Sequence, residues 1–204
     1  KLIYMFTLLL EKLEELKNLD TSFRIFGADS HKYSFNPTIN ENELILFEKK
    51  HNIELPENYR EFIKSIGNGG CGPNFGFFKL ENGIYDIPLN KKQSDIIILE
   101  KEFNFISSWN LEDFPKDDYD KWLDEYDSIK WTNGMLRINH LGSGIYSNLI
   151  VTGKEKGNIW IDSRTNEDGI YPSNYYNKEL KNDFLSWYLR WIESSIKELK
   201  ANKL

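Results

Sequence analysis

Apolar residues recur along this chain with two different periods, and the change from one to the other divides it. In the first third they return every three or four positions. Leu13, Leu16 and Leu19 continue the apolar run of residues 2–10. Leu44, Ile45 and Phe47 lie within Ile39–His51, and Tyr59, Phe62, Ile63 and Ile66 follow Leu55-Pro56. That spacing gathers side chains on one face of a helix, so helices are expected over Leu2–Leu19, over Ile39–His51 and onward from Pro56. Proline suits a first helical turn because its φ is already near the helical value and its missing N–H would have had no partner there. Gly67-Asn68-Gly69-Gly70 supplies the positive-φ positions of a helix stop and a reversal, and Pro73 prevents the helix from resuming.

Beyond Pro73 the pattern shortens toward alternation. Phe75, Phe77 and Phe78 read as a strand or its bulged beginning, and Asn82-Gly83 reads as a hairpin turn between Phe77–Leu80 and Ile84–Leu89. Ile96–Phe105 is expected to be a helix. Met135–Ile138, Ile145–Thr152 and Asn158–Asp162 are expected strands, the last two forming a hairpin across residues 153–157. Ser163–Tyr176 reads as a long polar loop. Phe184–Leu199 closes the chain as a helix with Phe184, Trp187, Tyr188, Trp191, Ile192, Ile196 and Leu199 on a broad apolar face. Helices, then strands, then a helix predict an α+β fold: one mostly antiparallel sheet flanked by amino- and carboxy-terminal helices. No repeat or linker divides the chain, so residues 1–204 read as one domain.

Composition supports a packed core. A chain of 204 residues buries roughly 70% of its extended surface, and 40% hydrophobic with 15% aromatic residues supplies the material. The 26 basic against 32 acidic residues leave a net charge of −6, which argues against a general nucleic-acid binder and leaves a basic protein partner open. With Cys71 as the single cysteine no intramolecular disulfide can form. The apolar opening KLIYMFTLLL is too short to span a bilayer and runs on at helical spacing among charged residues. It is therefore expected to be a helix of a soluble cytoplasmic protein that is monomeric or homodimeric.

Catalytic chemistry is hard to place. His31, His51, His140 and Cys71 include no close-spaced metal-ligand pair. Gly142-Ser143-Gly144 lacks the nucleophile-elbow pattern, and no phosphate-binding lysine follows the Gly67–Gly70 loop. Asp162, Glu167 and Asp168 near Arg164 are the one carboxylate set that acid–base work could use, and with 32 acids in the chain such a set arises readily by chance. No catalytic, cofactor or metal residues are therefore assigned.

Charge is uneven. Glu112–Asp127 holds eight acids and two lysines, a net of −6 that equals that of the whole chain. Two readings stand: a solvated excursion of like charges, or a docking surface. In the second, Phe114, Tyr119, Trp122 and Tyr126 offer contact area while Asp117, Asp118, Asp120 and Asp124 steer a basic partner.

The sequence Leu55-Pro56, Tyr59-Arg60-Glu61-Phe62, Asn68-Gly69-Gly70, Gly72-Pro73 and Gly76-Phe77-Phe78 resembles the SUKH superfamily. Asn148–Val151, Gly157, Trp160, Asp162, Asp168-Gly169, Phe184 and Trp187 are similar to its second half in the same order. The resemblance implies an antiparallel α+β domain and, for bacterial members, an immunity protein that binds and neutralises a toxin. Fungal relatives of the SMI/KNR type, which regulate cell-wall synthesis, imply the alternative of a regulatory scaffold. Residues 1–26 and the acidic stretch 112–127 depart from the family core, as an amino-terminal extension and an insertion where partner choice could reside.

Overall fold

The computed structural model of the protein describes residues 2–86, 95–113, 125–174 and 176–201. Its helices are α1 (Leu2–Leu19), α2 (Ala28–His31), α3 (Glu41–His51), α4 (Glu57–Ser65) and α5 (Phe184–Ala201). Strands β3 (Met135–Gly142), β4 (Ile145–Ile150), β5 (Ile159–Asp162) and β6 (Ile170–Pro172) form one antiparallel sheet in that order, and β1 (Tyr85–Asp86) pairs with β2 (Asp95–Ile96) in a small second one. The expected α+β architecture, an antiparallel sheet with helices from both ends of the chain, is the one found.

Local chemistry accounts for the helix limits. Asn40 caps α3 reciprocally with Glu43, each side chain accepting from the other's backbone N–H. Pro56 stands one step earlier than expected, as the N-cap of α4 with ψ 131, and its carbonyl accepts from the Tyr59 and Arg60 N–H groups. Gly69 and Gly70 both take positive φ; a β-carbon on Gly70 would lie 2.5 Å from the Ser34 carbonyl oxygen. Asn68 fastens this reversal: its side-chain oxygen accepts from the Leu80 N–H at 2.8 Å.

Four expectations change. Asn82-Gly83 makes no hairpin. Gly83 has φ −69 and closes a 3-10 turn over Leu80–Asn82, and its carbonyl accepts from Arg137 N–H on β3. Ile96–Phe105 is not helical. Ile97 and Leu99 are buried while Ile96 and Ile98 are exposed, the period of two that branched side chains favour in extended backbone. Phe77 makes only isolated bridges, to Gly70 and Asn139, so the phenylalanine run is no regular strand. Ser163–Tyr176 is not all loop, because β6 within it adds a fourth strand through Ile161–Tyr171 and its neighbouring pairs.

The two faces of the sheet differ. Leu136, Ile138, Leu149 and Ile159 share one core with Tyr59, Phe62 and Ile63 of α4 and with Phe184, Tyr188 and Ile192 of α5. Phe62 sits at its centre, with ring centroids 5.1 to 5.9 Å from those of Phe35, Phe77, Phe184 and Tyr188. Helix α1 lies against α5, burying Leu9, Leu13 and Leu16. Met135, Ile150, Trp160 and Ile170 form a second cluster with Phe103, Phe105, Trp109 and Trp131. Because neighbours in a strand point to opposite faces, Met135 and Leu136, Leu149 and Ile150, and Ile159 and Trp160 divide between the two cores. That division is why β3 to β5 are buried on both sides.

Candidate functional site

Beside the second cluster the sheet carries charge instead of hydrocarbon. Arg137 on β3 donates to Asn148 Oδ1 at 3.2 Å, to Asp162 Oδ2 at 3.1 Å and to Asp86 Oδ1, and its guanidinium lies 4.0 Å from the centre of the Tyr146 ring. Arg164 grips the same carboxylate from the other side, with Nε donating to Asp162 Oδ1 at 2.8 Å and Nη2 to Oδ2 at 2.9 Å. Burial alone would raise the Asp162 pKa; Arg164 foremost, and Arg137 with it, outweigh burial and hold the carboxyl below the usual range. Arg164 has a further task. Its Nη1 donates to the carbonyls of Tyr126 at 2.9 Å and Ser128 at 3.1 Å, tying the end of the acidic stretch to the sheet.

The segment before that stretch is tied down as well. Trp109 and Ile170 exchange both backbone hydrogen bonds at 2.8 Å, which extends the sheet past β6. Asn110 is the clasp: its Nδ2 donates to the Glu167 carbonyl at 2.8 Å, while its Oδ1 accepts from Tyr126 Oη at 2.7 Å. Gly169 makes the approach possible. It holds φ +77, and a β-carbon there would lie 2.1 Å from the Trp109 carbonyl oxygen.

An open groove of about 340 Å³ results, lined by Ser108, Trp109, Asn110, Glu112, Asp113, Asp168, Tyr171 and Tyr176. Glu112 and Asp113 approach from the start of the acidic stretch and Asp168 from the β5–β6 connection. Asp113 Oδ2 accepts from the Asn110 N–H at 2.8 Å and Asp168 Oδ2 from Ser163 Oγ at 3.1 Å, which orients both carboxylates. Among the described residues that line it there is no lysine or arginine.

Of the expected partner-binding residues, Asp117, Asp118, Tyr119, Asp120, Trp122 and Asp124 lie outside the described residues. Tyr126 is corrected: it is 2% exposed, stacked on Trp109 with centroids 5.4 Å apart, and therefore offers no ring to a partner. Leu55, Tyr59, Phe62, Trp160 and Phe184 are buried in the two cores, and Trp187 packs 6.0 Å from Phe77. The carboxylate set near Arg164 does not converge: Asp162 is buried between two guanidiniums, whereas Glu167 and Asp168 are exposed. Trp109, Tyr171 and Tyr176 were not anticipated as groove residues. Their available signal was aromatic residues within polar segments, with Asp168-Gly169 beside them.

Among the described residues no group of three or more histidine, cysteine, aspartate or glutamate side chains could hold a metal ion, and no helix is long and apolar enough to cross a membrane. No protein-family model matches the chain, and neither a curated protein nor a solved structure matches it.

Proposed function

We propose that this chain is a cytoplasmic immunity protein of the SUKH kind, which binds a toxin and blocks its active site or substrate groove without catalysing a reaction itself. The order of its Leu-Pro, Asn-Gly-Gly and aromatic motifs supports the family reading. The observation that carries the binding role is the acidic, aromatic groove fixed at the base of the Glu112–Asp127 stretch. Aromatic side chains supply contact area with little entropy to lose, and carboxylates steer a cationic partner toward it. A toxin that cuts nucleic acid presents a cationic surface to its substrate, and is the best-matched class of partner.

Co-expression tests this. Where a gene neighbouring that of this chain encodes a toxin domain, cells that make the domain are expected to grow when the chain is also made, and the purified pair to form a complex that weakens with salt. Equal killing with and without the chain, together with no complex, overturns the proposal. Changing Asp117, Asp118, Asp120 and Asp124 to lysine is expected to lower affinity and flatten its salt dependence.

A further inference from the structure

We infer that residues 23–33 form an acid-released strap: protonation of the His31 ring removes the acceptor that holds the Tyr33 backbone, and the strap lifts from Cys71 while the sheet and its two cores stay folded. The strap works in the same way whatever partner the protein binds. Three bulky residues of this segment, Phe23, Lys32 and Tyr33, have left-handed φ values of 53, 50 and 56, a conformation that residues with a β-carbon hold only where surrounding contacts impose it. Tyr33 is held at both ends by acceptors. Its N–H donates to His31 Nδ1 at 3.1 Å and its hydroxyl to Asp20 Oδ2 at 2.7 Å. Asp20, just after α1, also accepts from the Arg24 and Ile25 N–H groups at 2.7 and 3.0 Å. A ring nitrogen accepts only while it carries no proton, so the bond to His31 exists in the neutral imidazole alone.

The imidazole has little room for charge. It is buried, edge-on to the Tyr33 and Trp191 rings with centroids 5.4 and 6.3 Å away, and a β-carbon on Gly76 would lie 3.2 Å from its Cδ2. Burial holds the His31 pKa below its ordinary value; the Gly72 backbone and Asp29 favour the cation and weigh less. The other charged or titratable groups around the strap are Arg24 within it, Asp20 and Lys17 from the end of α1, Glu198 from α5 and Cys71 from the glycine loop. Asp20 behaves in the opposite way. Burial would raise its pKa, but the Ile25 N–H, the Tyr33 hydroxyl and the Arg24 N–H hold it down, so it stays ionised in mild acid and keeps the first residues of the strap attached. An open strap, with His31 in water, takes up a proton near pH 6.5, whereas the closed strap does so only at lower pH, so falling pH favours opening. Opening uncovers Cys71. Its N–H donates to the carbonyl of Ser34, the residue after Tyr33, at 2.8 Å, and burial pushes its thiol pKa up to about 12.

The experiment labels the full chain with dithiodipyridine, a disulfide reagent that stays reactive in mild acid, and Cys71 as the single cysteine gives one signal. Dividing the labelling rate by that of the urea-unfolded chain at the same pH leaves the fraction of molecules in which the thiol is open. That fraction is expected to rise about three- to tenfold from pH 7.5 to 5.5, and to change little with low urea because a local opening exposes little surface. His31→Asn places an amide oxygen near the position of Nδ1 without titrating, and is expected to abolish the rise. Tyr33→Phe loses only the hydroxyl bond to Asp20; it is expected to raise the open fraction about threefold at pH 7.5 and to keep the pH dependence. An open fraction that is flat with pH, a rise equally steep in His31→Asn, or a rise carrying the urea dependence of global unfolding overturns the strap. The wild-type pH and urea profiles decide the matter even where His31→Asn fails to fold.

Discussion

The two faces of the four-stranded sheet are stabilised by different physics. Toward the helices, Leu136, Leu149 and Ile159 meet Phe62, Phe184 and Tyr188 in a continuous apolar core, where stability follows area and fit and no direction is imposed. Toward the other side an aromatic cluster of Trp109, Trp131 and Trp160 adjoins the Asp86–Arg137–Asp162–Arg164 network. Charges and hydrogen bonds demand particular partners, and here they fix the two ends of the acidic stretch against β6 and β5. One face holds the fold together, and the other holds a surface in place.

Substitutions that break this contrast are expected to differ in kind as well as in size. Phe62→Ala removes a ring from the centre of the helix-side core and is expected to cost about 3–5 kcal/mol in urea unfolding. Asp162→Asn removes the carboxylate that two buried guanidiniums share and is expected to cost about 3 kcal/mol at pH 7. Its signature is pH: the folded-state pKa of Asp162 is depressed, so its contribution is complete above the ordinary carboxylate value near 4 and is lost as pH falls below it. The gap between wild type and Asp162→Asn should therefore narrow in acid, whereas the Phe62→Ala gap should not. Gly169→Ala, which drives a methyl group into the Trp109 carbonyl, is expected to cost about 1–3 kcal/mol and to alter tryptophan fluorescence by displacing Trp109.

A smaller effect runs through the whole molecule. His31, His51 and His140 all have pKa values lowered by burial, so the unfolded chain binds protons more readily than the folded one as pH drops below about 6.5. The melting temperature should fall between pH 7.5 and 5.5; a constant value would show that these rings are solvated. Smallest of all, Glu15→Gln breaks only solvent-accessible surface pairs with Lys12 and Lys200, and the urea midpoint should stay unchanged.

What was legible in the sequence follows the same division. The helices α1, α3, α4 and α5 and the strands β3 to β5 could be placed from periodicity, because a helix that buries one face must repeat its apolar residues along it. The far face was not legible, since its order comes from contacts between distant segments. Nothing local marks Arg164 as holding the Tyr126 and Ser128 carbonyls, or Asn110 as clasping Glu167. Asn82-Gly83 misled because Asn-Gly signals positive φ, whereas Gly83 has a negative one and is small because the Arg137 carbonyl oxygen would lie 2.5 Å from a β-carbon. β6 was hidden by its length of three residues and its terminal proline. Tyr126 read as an interaction residue from its acidic neighbours, although its ring closes the aromatic cluster from within.

On the reading proposed above, the far face presents the surface that recognises a basic partner. The most direct test measures toxin affinity for two folded charge reversals of equal size: Glu112→Lys in the groove, and Glu54→Lys on the exposed chain between α3 and α4. Glu112→Lys is expected to weaken binding at least tenfold and to reduce its salt dependence, while Glu54→Lys is expected to change it less than twofold. Equal losses from the two reversals, or a loss confined to Glu54→Lys, would contradict it.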